Sequence, residues 1–339
     1  MRQAVMTAPG EIEVGDVDVP TPGEGEVLLR IRRIGVCGSD VHVYHGTHPF
    51  TGYPVVQGHE FSGEVEAVGP GVTGIAVGAK VTATPQNTCG QCPQCLRGDY
   101  HICDNLAVRG FQAPGCAQDF YVTEASKVLP LPETFTFEQG ALVEPAAVAV
   151  RALSRLDASP AGRNIVVLGA GPIGNLVAQV ARGAGATVLV TDLSEYRLEV
   201  ARQCGLQHTS NARAESLADA AGRAFGGKGF SGAFECSGAE AALTATIDAI
   251  AKGGTIIVVA VFEDKPPVNL SQVQDRELTL RGTLMYQRGD YERAIEAIAD
   301  GAIATDPLVS KHFPLEEYLA AYHFIDEAGD RTMKVIIDV

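Results

Sequence analysis

The segment VVLGAGPIGNLVAQVARGAGATVLVTD, Val166 to Asp192, constrains the fold more tightly than any other stretch. It combines an apolar run, the pattern Gly169-x-Gly171-x-x-Gly174, helical spacing and a second apolar run that ends in an acid. Gly169 permits a tight turn, Gly171 lets the backbone approach a pyrophosphate, and Gly174 allows close helix-on-strand packing. Pro172 and Ile173 open the helix, whose free N–H groups and positive dipole end suit phosphate. Asp192 falls about 20 residues beyond the glycines, where a ribose-binding carboxylate is required. It would accept the adenosine ribose 2′-hydroxyl of NAD and repel the 2′-phosphate of NADP. Arg197 is placed either to stack on adenine or to offset that repulsion. NAD is the expected cofactor.

The rhythm continues through SEYRLEVARQCG (helix), GAFECSG (strand), EAALTATIDAIAKGG (helix) and TIIVVAVF (strand). Such alternation predicts an α/β region with a doubly wound parallel sheet. Cys236 and Ser237 end one strand, and Val259 to Val261 follow the next, at the carboxyl edge where a cofactor binds. Lining the nicotinamide pocket and plain strand-end packing both remain open to them.

The chain before about residue 145 has a different texture. EVLLRIRRIGV alternates as a strand, and FSGEVEAVGPGVTGIAVGAKVTATP offers two more strands punctuated by Gly and Pro. An antiparallel, barrel-like, β-rich region with long loops is expected, and the terminal KVIIDV is expected to rejoin it. At 339 residues the chain is comfortable as two domains with separate cores. A formal net charge of -15, with Lys and Arg scattered, argues against nucleic acid and anionic membranes as partners. No apolar run approaches the roughly 18 residues of a bilayer span, and the N-terminus lacks a signal core. A cytoplasmic location is expected. In that reducing setting clustered cysteines bind metal more readily than they pair.

Half of the eight cysteines crowd into CGQCPQCLRGDYHIC. Cys89, Cys92, Cys95 and Cys103 can close a tetrahedron around zinc and leave no open position, which marks a structural site. His101 is superfluous there and is expected at the surface. A second donor set is dispersed: Cys37, Ser39, Asp40 and His42 in GVCGSDVH, His59 and Glu60 in GHEFSG, and Glu144 in ALVEPAAV. Taken singly, Cys37 reads as a small buried hydrophobe and His59 as a structural histidine. Glu144 is harder to dismiss, because an unpaired buried carboxylate is costly. A catalytic zinc wants about three mixed ligands and an exchangeable position.

Together GVCGSDVH, GHEFSGEVEAVG, the cysteine cluster, ALVEPAAV and GAGPIG resemble the zinc-dependent medium-chain dehydrogenases, in the sorbitol (polyol) dehydrogenase branch. The resemblance runs from about Glu26 to the C-terminus. It implies a GroES-like catalytic domain of residues 1–148 and 285–339, with a structural-zinc lobe at about 86–106. It implies a Rossmann NAD-binding domain at 149–284. Cys37 and His59 would bind the catalytic zinc with Glu60 and Glu144 in or beside its shell, making two Zn2+ per chain; which carboxylate coordinates stays open. A zinc of this kind acts as a Lewis acid on the hydroxyl of a small-molecule substrate. Ser39 could relay the proton. By resemblance His42 would pass it on, an imidazole ordinarily titrating near neutrality. Asp40 would orient His59. Cys116 and Cys204 read as packing residues.

Tyr44 and Tyr286 resemble substrate-facing positions of the polyol branch, but Met285 stands where sorbitol dehydrogenases carry Arg. Losing those five donors points away from sorbitol itself, toward a cyclic or partly apolar secondary alcohol. His45 and His48 are equally explained as substrate contacts or exposed loop residues. The main expectation is an NAD-dependent oxidoreductase for a polyol, sugar alcohol, sugar acid or cyclitol. A threonine or butanediol dehydrogenase of the same branch is one alternative, and a non-catalytic nucleotide-binding protein is another. The family implies a homodimer or homotetramer.

Overall fold

The structure is a computed structural model and describes residues 1–262 and 264–339. It forms two compact units: one of residues 1–144, 287–295 and 309–339, the other of residues 145–286 and 296–308.

The first unit is organised by the strand Glu26–Gly35. Its apolar residues Val27, Leu29, Ile31 and Ile34 are buried, while Arg30 and Arg32 point outward to Glu66 and Glu64 on the next strand. One edge pairs along its length with Glu60–Val68, in an antiparallel ladder with two register shifts. Such bulges sharpen the local twist and bend. The other edge is shared: residues 26–30 pair with Phe120–Glu124, and residues 33–35 with the C-terminal strand Lys334–Asp338. Val309–Pro314, Lys80–Ala83 and Val128–Pro130 complete a seven-stranded sheet.

The second unit is a six-stranded, wholly parallel sheet. Its spatial order is His208–Asn211, Thr187–Asp192, Asn164–Leu168, Gly232–Glu235, Thr255–Val258, Thr279–Gly282. The order reverses between Asn164–Leu168 and Gly232–Glu235, the kind of switch point at which doubly wound sheets bind ligands. Ile165 to Leu168 and Val188 to Val190 are buried, as continuous apolar runs should be when both faces are covered. TIIVVAVF, expected as strand throughout, is strand only over Thr255–Val258.

Residues 296–308 lie beyond the expected boundary at 285 yet pack with this second unit. Buried Gln179, on the helix Pro172–Gly183, accepts from Ala304 N (2.7 Å) and donates to Ala304 O (3.2 Å). Arg182 donates to Ala302 O at 3.0 Å. No helix among the described residues is long and apolar enough to cross a membrane.

Candidate metal and nucleotide sites

Cys37 immediately precedes the short helix Gly38–Tyr44. Asp40, in the first turn, accepts from the Cys37 backbone N–H through Oδ2 at 2.9 Å, which fixes the chain where the thiol is presented. His59 ends a turn that passes through Gly58 at φ +92°. A Cβ at Gly58 would stand 2.9 Å from Cys116 Sγ, so the close approach there requires glycine. His59 packs its ring on Phe111 at 4.9 Å and sets Nδ1 3.5 Å from Asp40 Oδ1. Glu60 begins the strand opposite Gly35, where any Cβ would collide with the Glu60 carboxylate.

The structure brings one donor atom each of Cys37, His59 and Glu60 within 4.8 Å of one another. Glu144 is buried on the helix Val143–Leu153 and stands outside this three-donor group. Burial alone would lower the His59 pKa. The charges of Asp40 and Cys37 outweigh burial and hold it well above the ordinary value. A thiol, an imidazole and a carboxylate converge in a buried place that favours positive charge, which fits a borderline-soft divalent cation such as zinc.

Lys334, which the sequence reading missed, completes this electrostatic arrangement. It lies buried on the C-terminal strand and donates to both Glu60 oxygens, 2.6 Å to Oε2, and to Val36 O at 3.3 Å. Desolvation would lower its pKa, but Glu60, Cys37 and Glu144 raise it above the ordinary 10.5. The only sequence signal was a charge heading the apolar run Val335 to Ile337.

Ser39 is half-buried on the same short helix. His42, also half-buried, has Nδ1 3.4 Å from Thr47 Oγ1. Tyr44 is buried in the core of the first unit and Tyr286 is fully buried. Met285 takes a left-handed conformation, φ 48°. His45 pairs with Asp326 at 3.0 Å, and His48 stacks on Phe111.

Cys89, Cys92, Cys95 and Cys103 form a second group within the same 4.8 Å limit. The sulfurs of Cys89 and Cys103 are 3.5 Å apart, well beyond the roughly 2 Å of a disulfide, and all four cysteines are free. Backbone N–H groups of Cys89, Cys92 and Asn105 point at neighbouring sulfurs from 3.3 to 3.4 Å. The N–H groups of Gln91 and Cys92 pull the Cys89 thiol down to about 6. Desolvation and the neighbouring sulfurs push Cys95 up to about 12. Four sulfurs gathered in this way offer a donor set of the kind that holds a tetrahedral cation. His101, expected at the surface, is instead 4% exposed. The turn Tyr100–Ile102 folds onto the start of the helix Arg288–Ala299. Gln287 Nε2 lies 3.2 Å from His101 Nδ1 and donates to Gly98 O, while Tyr100 OH accepts from Arg288 N.

In the second unit Gly169 has φ +92°, and a Cβ there would press on the backbone of Cys236 and Ser237 at 3.0 Å. A Cβ at Gly174 would collide with Gly169 O. Gly171 caps the helix Pro172–Gly183, and there the nearest atom to such a Cβ is Arg197 Nη1, 3.8 Å away. Two glycines are thus demanded by packing, and the third faces open space beside a helix N-terminus, a cradle that suits a pyrophosphate. Asp192 ends its strand as expected, accepting from Ala170 N at 2.6 Å and Ser194 N at 2.8 Å. The Cys236 thiol is pushed well up by burial, then by the charge of Glu235. Fully buried Glu235 was not anticipated; it accepts from Ser237 N (2.9 Å) and Gly238 N (3.1 Å), holding the loop that follows its strand. Val259 donates its N–H to Glu235 O, and Val261 is exposed.

Residues 23–133 match the family model of the alcohol dehydrogenase GroES-like domain, and residues 172–300 that of the zinc-binding dehydrogenase. The chain is 38% identical to 2-dehydro-3-deoxy-L-galactonate 5-dehydrogenase of Pseudoalteromonas atlantica, over 94% of this chain and 92% of that protein. It is 32% identical to a sorbitol dehydrogenase of Halalkalibacterium halodurans, over 97% and 96%. Among solved structures, a putative zinc-binding dehydrogenase from Sinorhizobium meliloti bound to NADP superposes with a TM-score of 0.93 at 29% identity, covering 100% of this chain and 99% of that one.

Proposed function

The chain belongs to the zinc-dependent medium-chain dehydrogenases, in their polyol branch, and from that premise we propose that it oxidises a secondary hydroxyl of a sugar acid, sugar alcohol or cyclitol to the ketone, with NAD as hydride acceptor. The observation that carries this reading is the donor set in which half-buried Cys37 converges with buried His59 and Glu60. Its mixed chemistry suits a catalytic zinc with an exchangeable position, unlike the four thiols of the other cluster.

Cys37, His59 and Glu60 would hold the metal, with Glu60 preferred over Glu144 because only its carboxylate reaches the other two donors. Zinc bound there would supply Lewis acidity toward a substrate hydroxyl. Asp40 holds His59 in orientation, and Lys334 balances the carboxylate charge that Glu60 brings into the core. Ser39 Oγ takes the hydroxyl proton as it gives up its own, and His42 carries that proton onward, accepting at one ring nitrogen while donating from the other. The four cysteines from Cys89 to Cys103 take a second, structural zinc.

The glycine turn and the N-terminus of Pro172–Gly183 bind the pyrophosphate. Asp192 spends one lone pair of each oxygen on Ala170 and Ser194, and a carboxylate has about four acceptor sites. Acceptor capacity is left for a ribose 2′-hydroxyl, and the fixed charge disfavours a 2′-phosphate. NAD is therefore assigned here, although the Sinorhizobium neighbour was solved with NADP. A sugar-acid dehydrogenase as a 38% identical relative favours polyhydroxylated substrates.

The test is dinucleotide reduction by the purified protein against sugar acids, alditols, inositols, L-threonine and butanediol. The expected result is turnover of a polyhydroxylated compound, with kcat/KM at least about tenfold higher for NAD than for NADP, a 1.4 kcal/mol preference. Turnover confined to L-threonine or butanediol would favour the amino-alcohol and diol alternative. Preference for NADP would overturn the role given to Asp192, and no turnover at all would leave a nucleotide-binding protein without catalysis.

A further inference from the structure

We propose that Gln57 and Tyr322 are positioning residues for the metal-binding cluster, through a buried chain of hydrogen bonds that ends on Asp40. The proposal rests on the reading that Cys37, His59 and Glu60 hold a metal.

Gln57, Asp40 and Tyr322 are all at most 1% exposed. Tyr322 OH donates to Gln57 Oε1 at 2.7 Å, and Gln57 Nε2 donates to Asp40 O at 3.2 Å and to Asp40 Oδ1 at 3.4 Å. The Gln57 amide serves both ends of this chain, because it accepts on one side and donates on the other. The acceptor-only carbonyl and carboxylate of Asp40 fix which way the amide faces: nitrogen toward Asp40, leaving its oxygen to accept from Tyr322. Glutamate in its place would face Asp40 with no donor, and an apolar residue would leave a buried hydroxyl and a buried carboxylate each short of a partner.

Asp40 is held from three sides. Its Oδ2 takes the backbone N–H of Cys37, its Oδ1 faces His59 Nδ1, and Gln57 reaches both its side chain and its carbonyl. One carboxylate therefore sets the backbone of one donor residue and the ring of another, and Gln57 sets that carboxylate. Tyr322, on the helix Tyr318–Ala328, is itself wedged between rings, 4.9 Å from Tyr44 and 5.6 Å from Tyr318. Its hydroxyl has little freedom to swing. Residues that orient metal ligands in this way are typically worth 10- to 100-fold in metal affinity.

The experiment follows zinc release from the full-length protein into a chromophoric chelator, for the wild type, Gln57→Met, Tyr322→Phe and the double variant. Cobalt-substituted protein gives the ligand-field spectrum in parallel. Two release phases are expected in the wild type. Gln57→Met, which keeps the side-chain volume, should accelerate one phase about 10- to 100-fold and shift the cobalt bands, leaving the other phase alone. Tyr322→Phe should act on the same phase more weakly. The double variant should be no faster than Gln57→Met, since both substitutions break one chain. Unchanged release, equal acceleration of both phases, or additive effects would overturn the proposal. A wild type that releases a single zinc would instead refute the metal reading of the Cys37 cluster.

Discussion

Lys334 and Glu60 show how one residue pair can carry consequences far beyond its size. Removing the cation and keeping the carboxylate leaves an uncompensated buried charge, which typically costs about 3–5 kcal/mol. Lys334→Met should lower the stability of the zinc-stripped protein, in which no metal offsets the Glu60 charge, by that order in denaturant titration, and Lys334→Arg should recover most of it. A raised lysine pKa means that the contribution is complete below the unfolded value near 10.5 and is lost only as pH climbs through the higher folded value. The wild-type advantage over Lys334→Met should therefore be flat through neutral pH and fade only in strong alkali; equal stability at neutral pH would contradict the role. The sequence exposed one side of this arrangement. Gly169 and Gly174 were legible because backbone geometry leaves few substitutes at those places, whereas Cys37 and His59, ambiguous taken singly, stood out only through the resemblance to a family. Lys334 was not legible, because an inward-facing lysine has no local signature and its partner lies 274 residues away.

At the scale of the element, the cysteine lobe illustrates the difference between a motif and its placement. The spacing of Cys89, Cys92, Cys95 and Cys103 disclosed a cluster. It could not disclose that Tyr100 and His101 fold onto Gln287 and Arg288, because that docking depends on residues 186–188 positions apart in the chain. His101 was misjudged for this reason. The element consists of short turns, with a four-residue and a three-residue helix between the cysteines. Such pieces lack the length to be stable alone, so the docking contacts, together with the proposed structural zinc, would hold them. Arg97, exposed in the loop between Cys95 and Cys103, is a convenient reporter. Trypsin should leave this bond intact in the zinc-loaded protein and cut it rapidly once zinc is stripped. Equal cutting rates in the two states would show that the lobe keeps its fold without metal.

For the whole molecule, alternation of apolar runs with helical spacing was sufficient to foresee the parallel sheet, since strands buried on both faces read as continuous hydrophobic stretches. The limits of each unit were less legible. Residues 296–308 belong with the second unit because Gln179 and Arg182 hold their backbone, and no composition shift marks that allegiance. The account as a whole requires that one metal be dispensable to the fold and indispensable to the chemistry. Measuring zinc content and NAD-reducing activity of Cys37→Ser on one preparation tests this directly. The account predicts a folded protein that retains about one zinc per chain, against about two in the wild type, with activity reduced at least a thousandfold, about 4 kcal/mol of transition-state stabilisation. Undiminished zinc together with undiminished NAD reduction would contradict it.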